Sequence, residues 1–142
     1  MHPHLEITSF TDAIAMAFGL RRRFTHAHTA AMLDGRGQVL DLTVFGRADS
    51  SVDTALGWAG CFAANDGTVR RMVLLSAVGD SVAHEPREAD IERLRAARSR
   101  FSDMGVLVVE WLQCDGHVAR SIDLASDGEG WRLAAGSRSR LS

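Results

Sequence analysis

Apolar and polar positions change their period along the chain, and each change marks a predicted element. Over residues 8–20, Ile14, Ala17 and Phe18 recur at helical spacing behind the capping candidates Thr8, Ser9 and Thr11, with Gly19 as a stop signal. Arg21, Arg22 and Arg23 then read as a solvated connector. Residues 25–33 and 38–45 are strand-like and flank Asp34-Gly35-Arg36-Gly37, the turn chemistry of a hairpin. Leu40, Leu42 and Val44 alternate with Asp41 and Thr43, so this strand buries one face. A helix is predicted over 51–64, capped by Ser50 or Ser51, with Val52, Leu56, Ala59 and Ala63 on its stripe and Asn65-Asp66-Gly67 ending it. Met72-Val73-Leu74-Leu75, within 69–77, is the unbroken apolar run of a strand covered on both faces. A turn-like stretch, 78–86, leads to a long helix over 87–104. Ile91, Leu94, Ala97 or Arg98, and Phe101 form its buried face, and Gly105 ends it. A buried strand over 106–112, a turn at Asp115-Gly116 and a last strand over 117–124 follow. The order α, β, β, α, β, α, β, β predicts an α/β sandwich around one mixed sheet flanked by helices.

Composition narrows the class without changing that picture. The chain has 142 residues, 46% apolar and 24% charged, with a formal charge of −2, which suits one domain. That charge gives no general electrostatic grip on nucleic acid. All basic residues are arginine, a pattern that coding bias explains. No stretch reaches the ~20 apolar residues of a membrane span, and Met1 to Phe10 lacks the pattern of a secretory signal. Cys61 and Cys114 form neither a CxxC pair nor a disulfide framework. The expectation is a cytoplasmic protein with free thiols.

The element order and several local segments resemble the JAB/MPN domain, in its RadC-like branch. The hairpin Ala30-Ala31-Met32-Leu33-Asp34-Gly35-Arg36-Gly37-Gln38-Val39-Leu40 resembles the family's opening strands, and Phe45-Gly46 resembles the lead into its Gly-Thr. Residues 51–64 resemble its helix of small residues, before the strand Val73-Leu74-Leu75. Between Ala77 and Asp90 the family carries His-x-His-Pro-Ser-Gly, a Pro and an Asp. Aligned without a gap, Ser81, Pro86 and Asp90 fall on its Ser, a Pro and its metal-binding Asp. Leu107-Val108-Val109-Glu110-Trp111 stands where the family has a buried strand with Asp-His. The resemblance covers about residues 24–124. It implies a single-domain, cytidine-deaminase-like sandwich, with residues 1–23 as a helical lead and 125–142 as a flexible tail.

The family's activity does not follow. Active members bind zinc through two His and one Asp, and a Glu acts as general base. Such a site needs three protein ligands and an open position for water. Here Ala77 and Gly79 stand at the two His positions, so the JAMM zinc motif is degenerate. Asp90 alone remains, and Asp41 stands near the family's Glu with a shorter side chain. No metal or other cofactor is expected.

Other chemistry-bearing residues have ordinary readings. Asp90 suits the first turn of a helix, where the dipole favours a carboxylate. His84 with Asp80 and Asp90 is the set from which a relocated metal site would be built, but it lacks a recognised ligand spacing. His26 and His28 fall on one face of a strand, as two exposed strand-edge histidines. Cys114 and His117 flank a turn and are expected to point apart. Trp58 is expected at the rim of its helix stripe, and Arg93 and Arg100, seven apart, share a helix face. These three are the candidates for a partner surface.

Three readings result. The first is a catalytically inactive RadC-like JAB/MPN domain that binds or scaffolds a protein partner, including a second copy as a homodimer, with no membrane or nucleic-acid partner. The second is a diverged metal-dependent peptidase or isopeptidase with a rebuilt site. The third is an accessory protein linked to DNA repair, against which the net charge argues.

Overall fold

The structure is a computed structural model and describes residues 5–47, 51–78, 88–115 and 117–122. Among them the elements run α1 (Phe10–Arg23), β1 (Ala27–Leu33), β2 (Val39–Phe45), α2 (Val52–Asn65), β3 (Arg71–Ala77), α3 (Glu88–Ser102), β4 (Leu107–Cys114) and β5 (Ala119–Ser121). The five strands form one open mixed sheet in the order β2-β1-β3-β4-β5. Only β3 and β4 are parallel; the other pairs are antiparallel. That arrangement follows from the connections. Five residues reverse the chain between β1 and β2, whereas α3 supplies the crossover that parallel neighbours require.

Both faces of the sheet are covered. On one, Val52, Ala55, Leu56 and Ala59 of α2 and Leu94, Ala97 and Phe101 of α3 pack on Ala30, Met32, Met72, Leu74, Val108 and Trp111. On the other, Ala13, Ala17 and Leu20 of α1 pack on Ala31, Leu33, Val73, Leu75, Val109 and Leu112. Every residue of β1 and β3 is therefore buried, the apolar runs Ala30–Leu33 and Met72–Leu75 together with the polar His28, Thr29, Arg71 and Ser76. Residues 10–23 are thus one of the layers that close the core.

Most boundaries shift by a residue or two, and among the described residues the last strand, expected over 117–124, is only Ala119–Ser121; two of the shifts have a clear physical reason. Gly19 does not end α1, which continues through Arg23. Leu20 extends the buried stripe Ala13–Ala17, and that burial outweighs the ~1 kcal/mol helix penalty of a glycine. The arginine run is accordingly the last helical turn, where cations suit the dipole, and Arg21 Nε donates to the Val78 carbonyl at 3.1 Å. Towards the other end of the chain, β4 runs two residues beyond Leu112 to Cys114, which is fully buried where the strand meets the turn. The turn belongs to Asp115, whose Oδ1 accepts from the His117 and Val118 amides at 2.8 and 2.9 Å.

The predicted hairpin turn is present. Asp34 Oδ1 accepts from the Arg36 and Gln38 amides at 2.8 and 3.0 Å. Gly37 adopts φ +88°, and a Cβ there would lie 2.9 Å from the Ile7 carbonyl oxygen. Only glycine therefore lets residues 5–7 lie along the start of β2, where Val39 N–H donates to the Leu5 carbonyl at 2.8 Å. Pairing in β4 skips Val109 opposite Met72 and Val73, an irregularity in the parallel ladder. Arg98 covers it. Its Nε donates to the Val108 carbonyl at 3.1 Å and its Nη2 to that of Val109 at 3.2 Å.

Candidate functional site

Strands β3 and β4 both end at one edge of the sheet, and α3 begins at that edge. In open α/β sheets the carboxyl ends of parallel strands are where ligand-binding crevices form. On the α2/α3 face, the interior row across the sheet is apolar: Ala30, Leu74 and Trp111 are register partners. The next row towards this edge is polar on four adjacent strands. His28 pairs with Ser76, Ser76 with Gln113, and Gln113 with Arg120.

Ser76 joins the two rows. Its Oγ accepts from Trp111 Nε1–H at 2.9 Å and lies 2.7 Å from His28 Nδ1, with the intervening proton on one atom or the other according to the His tautomer. Both Ser76 and His28 are buried. Burial, and then the neighbouring His26, lower the His28 pKa from 6.5 to about 4, so the ring is neutral at physiological pH. Asp90, Arg93 and Asp53 also act on it electrostatically, which places these charges close to the row.

Asp90, in the first turn of α3, has both oxygens engaged. Arg93 Nη1 donates to Oδ1 at 3.1 Å and Gln113 Nε2 to Oδ2 at 3.3 Å. Arg93 Nε reaches across to Asp53 Oδ1 on α2 at 3.0 Å. This chain of contacts ties the starts of α2 and α3 to the end of β4.

The remaining candidates are dispersed. Asp41 pairs with Met32, four residues along β1 from His28, about 13 Å away at strand spacing. There Asp41 Oδ2 accepts from Thr43 Oγ1 and Trp58 Nε1, each at 3.0 Å. His26 and His28 lie side by side with ring centroids 4.9 Å apart, as their shared face predicted. His28 is not an exposed strand-edge residue, because β1 is an interior strand. Trp58 is 40% exposed. Arg100 extends over Gly60 of α2, where a Cβ would collide with the guanidinium, and its Cζ lies 5.5 Å from the Phe101 ring centroid. His84, Asp80, Gly79, Ser81 and Pro86 lie outside the described residues. Among the described residues, no group of three or more His, Cys, Asp or Glu side chains is placed to hold a metal ion.

The sequence reading did not single out Ser76, Gln113 and Arg120. The signal was present in part: on each of β1, β3 and β4 the α2/α3-facing position turns from apolar to polar at the same end. Which of those positions stand side by side is a matter of register. Comparisons with family models, with curated proteins and with solved structures return no match.

Proposed function

We propose that the chain is a RadC-like JAB/MPN domain that has lost the zinc centre and acts as a protein-binding or scaffolding module. The observation that carries the reading is the state of Asp90. The one carboxylate that the resemblance assigns to metal has its two oxygens engaged by Arg93 and Gln113, so it serves as a tie between helix and strand. Ala77, at a position where the family has a zinc-binding His, has no donor atom, and it packs in the α1-side cluster, away from the face that carries Gln113 and Asp90. An α/β order with a mixed sheet and helices on both faces is what such a domain requires. Leu40 and Leu42, expected on the buried face of β2, are instead its two exposed residues, because β2 is the outermost strand; with Trp58 beside them they offer a partner apolar and aromatic surface to bury.

Elemental analysis of protein produced in zinc-supplemented medium tests the first half of this reading. Well under one zinc per chain is expected. One zinc per chain, lost in Asp90→Ala or His84→Ala, would instead show a rebuilt metal site and overturn this reading. Sedimentation across a hundredfold concentration range tests a second copy as partner, with Trp58→Ala expected to weaken any dimer.

A further inference from the structure

We propose that Arg120 anchors an oxyanion, the carboxylate or phosphate group of a small ligand, at the carboxyl edge of β3 and β4. The inference stands on the register and on one unsatisfied atom, and it holds whether or not the JAB/MPN resemblance does. Arg120 is the last member of the polar row His28, Ser76, Gln113, Arg120. Its Nη1 is buried, and among the described residues it has no hydrogen-bond partner. Arg120 as a whole is half-buried, but a buried guanidinium nitrogen is ordinarily paired, because a desolvated donor without an acceptor is destabilising. The obvious internal acceptor is engaged elsewhere: Asp90 takes Arg93 on one oxygen and Gln113 on the other.

The neighbours suit an anion. Gln113 stands opposite Arg120, where facing side chains are ~5 Å apart. Gln113 commits one of its two amide hydrogens to Asp90, which leaves the other to donate. The Asp90 charge is offset by Arg93, so it does not dominate the local field. The place is also the one that sheet geometry favours, outside the ends of parallel strands. A guanidinium fork recognises the paired oxygens of carboxylate or phosphate, whereas chloride offers a single spherical acceptor.

The full chain is titrated with inorganic phosphate, with acetate and with chloride at matched ionic strength. Side-chain nitrogen resonances of Arg120 are followed by NMR, and Tm by calorimetry. Saturable movement of the Arg120 resonances with phosphate or acetate, and not with chloride, is expected. At tenfold excess over Kd, the Tm should rise by about 4 °C. The anion that acts identifies the class: phosphate alone points to a phosphorylated ligand, acetate alone to a carboxylate. Arg120→Met should abolish both responses. Arg120→Lys, which keeps the charge and the stem, should weaken binding about tenfold for want of the fork. Equal responses to chloride, an unmoved Arg120 side chain, or unchanged affinity in Arg120→Lys would overturn the proposal.

Discussion

His28 shows how one residue's meaning changes with its surroundings. In the sequence it is half of a His-x-His. In the folded chain it is a buried neutral imidazole beside Ser76, with a pKa of about 4 against an ordinary 6.5. The sign of the linkage follows directly. Between pH 6.5 and 4 the unfolded chain binds a proton that the folded chain refuses, so stability falls as pH falls through that window. The shift corresponds to roughly 3 kcal/mol between pH 7 and pH 4. Urea unfolding at a series of pH values should show this loss, and His28→Asn should flatten it. A His28 ring that titrates near 6.5 by NMR would contradict the burial argument. Asp90 makes the complementary point. Its place in the first helical turn was legible in the sequence, but its partners Arg93 and Gln113 were only half so. Arg93 is one turn away on the same helix, whereas Gln113 is 23 residues distant on another element.

At the scale of elements, periodicity located each helix and strand, and local chemistry set most ends. Where the two signals disagreed, burial prevailed. Leu20 carried α1 past Gly19, and β4 ran past Leu112 to the buried Cys114, where the expected Asp115 turn begins. The irregularity in β4 left no trace in the pattern of Leu107 to Leu112. It depends on Arg98, which the sequence allowed as an alternative to Ala97 on the buried face of its helix. Ala97 does pack in the core, while Arg98 places its guanidinium on two strand carbonyls. Arg98→Ala should therefore destabilise the fold by about 2 kcal/mol in urea unfolding, since two part-buried carbonyls lose a charged donor. A change within 0.5 kcal/mol would show that water replaces the guanidinium at little cost.

At the scale of the whole molecule, one sheet carries two cores, and stability should grade outward from its centre. β1 and β3 have a strand on each side and helices on both faces. β5 is a three-residue edge strand, and residues 5–7 hold the start of β2 through the two backbone bonds of a single bridge. Hydrogen exchange should be slowest in β1 and β3 and fastest in β5 and residues 5–7. Exchange in β3 as rapid as in β5 would mean that the layers open together. The same architecture gathers polar residues from four strands at the edge where β3 and β4 end, and leaves Trp58 exposed beside β2. The edge proposed for a ligand and the surface proposed for a partner thus lie on different parts of one sheet.

The sequence by itself determined the α/β class, the number and order of the described elements and the hairpin turn. These depend on period, turn chemistry and side-chain identity, which are local properties. It also ruled out side-chain metal binding at Ala77 and Gly79, because no fold gives a methyl group or a hydrogen atom a lone pair. Only the tertiary structure decided that His28, Ser76, Gln113 and Arg120 form one row, and that Asp41 stands apart from it. It also decided that Asp90 is a structural tie. Those facts are set by strand register and by which helix covers which face. They arise from contacts between residues as many as 48 positions apart, as His28 and Ser76 are. Periodicity shows that a face exists; the choice of neighbours across it belongs to the packed sheet.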